Sequence, residues 1–99
     1  MKLYLSGPIT GVVDYKENFA RCAGLLRERG FEVVNPAEYP DGLEYEQYMA
    51  LAFQDIPMCD GLAIMSGWEK SPGAIREVDK ALYLDLQVRK VEFWLTEGV

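Results

Sequence analysis

The run from Leu62 to Met65 constrains the fold more than any other part of this sequence, because all of its residues are apolar and a helix-forming segment follows closely. A strand with no polar face must be covered on both sides, as in the parallel sheets of α/β proteins. Ser71 is a favourable N-cap residue and Pro72 a favourable first helical residue. The segment therefore predicts a buried strand, a polar turn over 66–70, and a helix from Ser71 to about Asp85.

The rest of the chain repeats this alternation of strand-like and helix-like segments. We predict strands over Lys2–Ser6 and Phe31–Val34, at least one closing strand within Val88–Leu95, and helices from Asp14 to a stop at Gly30 and from Tyr45 to Ile56. Glu17, three residues after Asp14, predicts a capping box at the start of the first helix. Alternating strands and helices indicate a parallel α/β sheet with right-handed crossovers.

Length, charge and the scarcity of cysteine limit the function classes. From ninety-nine residues we expect a single domain, 1–99, and the formal net charge of −6 argues against a nucleic-acid partner. The chain has no His and two Cys residues without metal-ligand spacing, so we expect no metal site and no cofactor. No signal peptide and no apolar run near eighteen residues occur, so we expect a cytoplasmic protein with no membrane partner.

Two loops carry the small polar residues that could hold a ligand. In parallel sheets, ligands bind outside the carboxyl ends of the strands. The candidate loops there are Gly7–Gly11 and Ser66–Gly73, which lie side by side if the first and third strands are neighbours. Glycine lets a backbone approach closely, and exposed amides bind anions. The first loop is thus a candidate phosphate cradle, with an ordinary tight turn as the alternative.

Glu77 is the candidate reactive group of the second loop. Helical side chains lean toward the helix N-terminus, so Glu77 points toward the turn that holds Ser71 and Gly73. Helical spacing places Ala74, Ile75, Val78, Ala81 and Leu82 on the core face and Glu77 on its flank. A glutamate at the solvent boundary is the alternative interpretation.

Tyr4 and Asp60 each have two interpretations. Tyr4 lies inside the first strand, where a tyrosine commonly belongs to the core. Asp60 precedes the third strand, at the end opposite the proposed site, and a turn or cap residue is the alternative to a catalytic one.

Several short motifs, in this order and spacing, resemble the nucleoside 2-deoxyribosyltransferase-like superfamily, in particular its small stand-alone members and the 2′-deoxynucleoside 5′-phosphate N-hydrolases. The motifs are Tyr4-x-x-Gly7-x-Ile9, Asn35-Pro36-Ala37-Glu38, Cys59-Asp60, Gly67-Trp68-Glu69-Lys70-Ser71 and Gly73-x-x-x-Glu77. The resemblance spans nearly the whole chain. It implies a flavodoxin/Rossmann-like three-layer sandwich with a mostly parallel sheet of four to five strands.

The resemblance also implies an activity, which is cleavage or transfer at the N-glycosidic bond of a nucleoside or nucleoside 5′-monophosphate. Glu77 would be the nucleophile at the anomeric carbon, with Tyr4 and Asp60 as further catalytic residues. The substrate or its phosphate would be held by Gly7, Ile9, Thr10, Ser71 and Gly73. Such proteins are usually homodimers or larger homo-oligomers.

The sequence departs from the family pattern at two positions. Ala52 stands where many relatives carry an acid on the second helix, and Thr10 stands where the hydrolases carry a phosphate-binding arginine. Asp55 is rotated by about 60° from the face of Ala52 and would replace the acid only in a distorted helix. Two alternatives to the enzyme therefore stay open, a non-catalytic nucleotide-binding protein and a phage-type interaction protein that reuses the fold.

Overall fold

A computed structural model describes residues 1–97 as one sheet with helices on both faces. The strands are β1 (Lys2–Ser6), β2 (Glu32–Val34), β3 (Gly61–Ile64) and β4 (Gln87–Lys90), and the helices are α1 (Tyr15–Glu28), α2 (Tyr45–Asp55), α3 (Pro72–Tyr83) and α4 (Val91–Thr96). Short 3-10 turns occupy Pro36–Glu38, Ile56–Met58 and Trp68–Lys70. Within this described part, none of the helices combines the length and apolar character needed to cross a membrane.

The four strands are all parallel and follow the order β2-β1-β3-β4. β1 pairs with β3 from Leu3 opposite Gly61 to Ser6 opposite Ile64. The chain adds β2 on one side of β1 and then β3 and β4 on the other, so the strand order reverses between β1 and β3. Such a reversal opens a crevice at the carboxyl ends of the strands. The predicted α/β class is confirmed, and the first and third strands are neighbours, which is the condition for the two candidate loops to lie side by side.

Each face of the sheet has its own apolar core. Leu3 and Leu5 of β1 pack with α1 and α4, and the members of this cluster are Leu3, Leu5, Phe19, Ala23, Leu26, Phe31, Ala63, Val91 and Trp94. Tyr4 faces the other side, where α2 and α3 supply Ala52, Val78 and Ala81. Side chains alternate between the two faces of a strand, so Ser6 shares the α2–α3 side with Tyr4.

The predicted closing segment divides into a strand and a helix. Only Gln87–Lys90 pairs with β3, and Val91–Thr96 forms α4. Val91 and Trp94 are 4% and 1% exposed, and their spacing of three residues places both on one helical face against the sheet. The indole Nε1 of Trp94 donates a hydrogen bond to the carbonyl oxygen of Leu62 at 3.2 Å, which ties α4 to β3. The apolar pattern of this segment suits either a strand or a helix, and packing against the sheet favours the helix.

The helix ends follow the predicted capping residues in part. Ser71 caps α3, and its hydroxyl accepts a hydrogen bond from the backbone amide of Ala74. Gly30 adopts a positive φ of 93° just beyond α1, as a helix-terminating glycine does. The capping box expected at Asp14 is wrong, because the Asp14 side chain makes no cap hydrogen bond. A capping box forms instead at α2, between Glu44 and Gln47.

Gly7 is required by the close approach of two loops. A Cβ placed at Gly7 would lie 2.8 Å from the Cβ of Met65, which follows β3. Because that Cβ is fixed to the backbone, relief of the clash would need the loops to separate. At Gly73 the nearest atom to an added Cβ is Met49 Sδ at 3.5 Å, which is ordinary contact.

We expect Gly7→Ala to lower the free energy of unfolding by about 1–3 kcal/mol, the usual cost of overpacking a buried position. Gly73→Ala is the matched control and should stay within about 1 kcal/mol of the wild type. Chemical denaturation followed by circular dichroism measures both. Equal stabilities of the two variants would contradict the close approach as the reason for Gly7.

Candidate active site

The crevice beside the reversal of strand order is a cleft with a volume of about 420 Å³, a size common among small-molecule sites. It lies between the loop after β1, the segment after β2, helix α2 and the start of α3. Most of its lining is aromatic or apolar. The lining residues are Tyr4, Gly7, Ile9, Thr10, Tyr15, Pro36, Ala37, Tyr39, Asp41, Tyr45, Tyr48, Met49, Ser71, Pro72, Gly73, Ala74 and Glu77.

Glu77 is the polar centre of this cleft, and two hydroxyl groups of β1 hold its carboxyl group. The Tyr4 hydroxyl donates a hydrogen bond to Oε2 at 2.9 Å, and the Ser6 hydroxyl donates to Oε1 at 2.6 Å. Strand alternation brings Tyr4 and Ser6 to the same side, toward α3. Glu77 is only 9% exposed. A carboxylate fixed in this way retains free lone pairs on both oxygens that a substrate can meet.

Burial controls the titration of Glu77. Desolvation raises its pKa from 4.5 to about 7, although the hydrogen bonds from Ser6 and Tyr4 act in the opposite direction. The pKa of Tyr4 lies well above its ordinary value, first because the phenol is buried and then because Glu77 is beside it. Tyr4 therefore serves as a hydrogen-bond donor at neutral pH, and Glu77 titrates near neutral pH.

Most residues predicted from the sequence meet in the cleft. Its lining includes Tyr4, Gly7, Ile9, Thr10, Ser71, Gly73 and Glu77. Asp60 is placed elsewhere: it precedes β3 at the amino ends of the strands, and its carboxylate accepts a hydrogen bond from the Lys2 amide at 2.7 Å. That contact gives Asp60 a role in joining β1 and β3, and the geometry does not bring it to the catalytic candidates.

The predicted faces of α3 require a correction. Ala74, Val78 and Ala81 are buried as expected, but Ile75 is 37% and Leu82 56% exposed. The buried face is rotated toward Glu77, because the hydroxyls of β1 offer that carboxyl group partners inside the protein. Glu77, which helical spacing placed on the flank of α3, is therefore buried.

Ser6 and Tyr39 are among the site residues that the sequence analysis missed. Ser6 was assigned only to the end of the first strand, although its spacing of two residues from Tyr4 was a usable signal. Tyr39 lies in the segment after β2, where no pattern marked it. It lines the cleft, and its hydroxyl donates a hydrogen bond to the carboxylate of Asp55. Burial and then Asp55 raise the pKa of Tyr39 above its ordinary value.

Position 52 of α2, where many relatives carry an acid, does not line the cleft. Ala52 is 1% exposed and packs in the apolar cluster that contains Ile56 and Leu62. An aspartate there would be surrounded by apolar side chains. Asp55 is also absent from the lining and meets the cleft only through Tyr39. Within residues 1–97, no group of three or more potential metal ligands occurs.

Comparison with known proteins identifies a matching family and solved structures with a similar fold. The family model described as "Domain of unknown function (DUF4406)" matches residues 1–90. A CMP N-glycosidase from Clostridium botulinum, BcmB, has a similar fold, with a TM-score of 0.65 and 21% sequence identity. The alignment covers 89% of this chain and 68% of the other. A search of curated proteins finds no significant match.

The raised pKa of Glu77 predicts a specific pH dependence of stability. Between pH 4.5 and about 7 the folded protein keeps a proton on Glu77 that the unfolded chain has released. The contribution of Glu77 to the free energy of unfolding therefore falls as pH rises through this window, by up to about 3 kcal/mol. We expect Glu77→Gln, which cannot ionise, to gain stability relative to the wild type over the same window.

Urea denaturation at several pH values between 4 and 8 measures this difference. Glu28→Gln is the matched control, because Glu28 is exposed at the end of α1. A difference between wild type and Glu77→Gln that does not change with pH would contradict a raised pKa for Glu77.

Proposed function

The chain belongs to the family described as a domain of unknown function, DUF4406, and from this membership and the geometry around Glu77 we propose that it breaks the N-glycosidic bond of a nucleoside or nucleotide. The family is part of the nucleoside 2-deoxyribosyltransferase-like superfamily, so the resemblance predicted from the sequence is confirmed. The similar CMP N-glycosidase supports this class of reaction.

The observation that carries the proposal is the buried, oriented carboxyl group of Glu77. Its oxygens are held by Tyr4 and Ser6 and face a cleft large enough for a nucleoside. A carboxylate in this setting can attack the anomeric carbon through an oxocarbenium-like transition state, as retaining glycosidases do. Water then releases the sugar, or another acceptor takes it.

Tyr4 and Ser6 would position the nucleophile rather than react themselves. Their two hydroxyl donors fix the carboxyl plane, so the orientation is set before the substrate binds. Preorganisation of this kind reduces the entropic part of the barrier. The hydrogen bonds also favour the ionised form that attacks, against the opposing effect of burial.

The remaining predicted residues would bind the sugar and its 5′ substituent. Gly7, Ile9 and Thr10 follow β1, and Ser71 and Gly73 begin α3, so the two loops border the cleft from adjacent strands. Four further tyrosines of the lining, Tyr15, Tyr39, Tyr45 and Tyr48, offer ring surface for a base. The predicted homo-oligomeric state and cytoplasmic location stay predictions.

One observation favours a second candidate function, a nucleotide-binding protein without catalysis. Among the described lining residues, the carboxylic acid besides Glu77 is Asp41, which is paired with Lys16, and Asp55 lies outside the lining and is bound to Tyr39. General acid catalysis at a leaving base contributes about 10²–10⁴ in rate, and a site without it could retain binding alone.

We expect the wild type to release free base from a substrate nucleoside or nucleotide, and Glu77→Gln to lower that rate by about 10³-fold or more, as removal of a nucleophile does. A panel of ribo- and deoxyribonucleosides and their 5′-monophosphates is incubated with each protein, and chromatography detects the base. Glu28→Gln should match the wild type, since Glu28 lies on the exposed side of α1. No release from any substrate, with a nucleotide raising the melting temperature, would support the binding protein instead.

The pH profile of base release should report the titration of Glu77. Because the attacking form is the carboxylate, kcat/KM should rise with pH, and the midpoint of this limb should lie near pH 7. Ser6→Ala removes the hydrogen bond that lowers the Glu77 pKa most, so we expect its limb at higher pH than that of the wild type.

Ser66→Ala is the matched control for this shift, because Ser66 is exposed and lies outside the cleft lining. Its profile should coincide with that of the wild type. A Ser6→Ala limb that moves to lower pH would contradict the assignment of the limb to Glu77.

A further inference from the structure

The charged side chains among the described lining residues are all acidic. Among the described residues that form the lining there is no Lys or Arg, and the chain contains no His. The lining carboxylates are Glu77 and Asp41, and Asp41 at the rim is bound to Lys16 at 2.8 Å. A ligand at the floor therefore meets the charge of Glu77 with no cation in the lining. Such a lining offers a phosphate dianion no side-chain cation, and the Glu77 carboxylate attracts a cation.

Tyr15, Tyr39, Tyr45 and Tyr48 of the lining, together called the tyrosine wall, add a second attraction for positive charge. Tyr39 and Tyr48 have hydroxyls that already donate to protein partners, Asp55 in the first case and the Pro40 carbonyl oxygen in the second. Ring surface is thus the part of these residues that is available to a ligand. Aromatic rings attract cations through their quadrupole. The Tyr45 ring already has this kind of contact, with the Arg76 guanidinium 5.6 Å from its centroid.

The described lining residues also include no carboxylic acid that is free to protonate a departing base. Glu77 is committed to attack, and Asp41 is paired with Lys16. Tyr4 and Tyr39 hold their protons more tightly than an ordinary phenol, since burial and a neighbouring carboxylate raise the pKa of each. An ordinary neutral base needs such a proton to leave. A base that already carries a positive charge does not, because the electron pair of the broken bond neutralises it.

We propose that the substrate class of this cleft is a nucleoside whose base is positively charged, such as an N-alkylated purine or a pyridinium, and whose sugar carries no 5′-phosphate. The proposal rests on the cleavage at Glu77 proposed above. It joins three features of the lining: the anionic floor at Glu77, the tyrosine wall of Tyr15, Tyr39, Tyr45 and Tyr48, and the missing acid.

The chemical steps balance without a further reactant except water. A Glu77 oxygen forms a bond to the anomeric carbon while the carbon–nitrogen bond breaks, and its electron pair goes to the base, which leaves neutral. Water then forms a bond to the anomeric carbon, the Glu77 carboxylate departs, and one proton of the water is released to solvent. A cationic nucleoside and water thus yield a neutral base, a sugar and a proton.

Binding is tested with a pair of inert probes that differ by one methyl group and one charge. N1-methylnicotinamide is a cation, and nicotinamide is its neutral counterpart. At pH 8, above the Glu77 pKa of about 7, titration calorimetry on the wild type should give the cation at least a tenfold lower Kd. Equal affinities, or tighter binding of nicotinamide, would overturn the proposal.

A charge variant assigns that preference to the cleft. Thr10 is exposed on the cleft lining, so Thr10→Arg adds a cation there, and the tenfold preference should disappear. Gln54→Arg adds the same charge at an exposed position of α2 outside the lining and should keep it. Loss of the preference in both variants, or in neither, would contradict a site at this cleft.

Cleavage is tested with nicotinamide riboside, its 5′-monophosphate, and neutral nucleosides, each rate divided by the uncatalysed rate. We expect nicotinamide riboside to exceed the others by at least tenfold in kcat/KM, with the activity lost in Glu77→Gln. Release of base from neutral nucleosides or monophosphates in preference would keep the proposed function and overturn the substrate class. A tenfold cation preference in binding without base release from any substrate would support the ligand class and overturn the proposed cleavage.

Discussion

The hydrogen bonds from Tyr4 and Ser6 to Glu77 are the interaction on which the site depends. They connect the central strand to α3 across the sheet face, and they give a buried carboxyl group partners that an apolar core could not. A carboxyl group at this depth without donors would be strongly destabilising. The same contacts orient the group toward the cleft, so the packing of α3 and the geometry of the candidate nucleophile have one cause.

The fold brings these groups together through strand order rather than sequence proximity. Tyr4 and Glu77 are separated by 73 residues, yet β1 and β3 are neighbours and α3 begins at the carboxyl end of β3. The Ser71 cap fixes where α3 starts, and Glu77 follows within the second turn. Gly7 allows the loop after β1 to approach Met65 closely, which keeps the two cleft-forming loops side by side.

Local patterns predicted the strands and three helices, because strand alternation, caps and helix breakers depend on neighbouring residues. The family resemblance supplied the candidate site residues that line the cleft. Two errors have a common origin in tertiary packing. Val91–Thr96 has an apolar spacing that suits a strand or a helix, and contact of Trp94 with Leu62 favours the helix. The side of α3 that turns inward depends on hydroxyls of β1, which are distant in sequence. Tyr39 was missed because its partner, Asp55, belongs to another element.

The missing acid and the missing cation have a joint consequence for the chemistry. In a cleft adapted to a nucleotide with a neutral base, a side-chain cation strengthens phosphate binding and an acid protonates the base. Among the residues that the structure describes, this lining supplies no Lys or Arg and no acid free of a partner, while it keeps the buried carboxyl group of Glu77 and the tyrosine wall. Taken separately, these two absences among the described lining residues suggest a damaged active site. Taken with the tyrosine wall, they describe a consistent environment for a substrate with a positively charged base. Such a base leaves without being protonated, so the cleft does not need an acid.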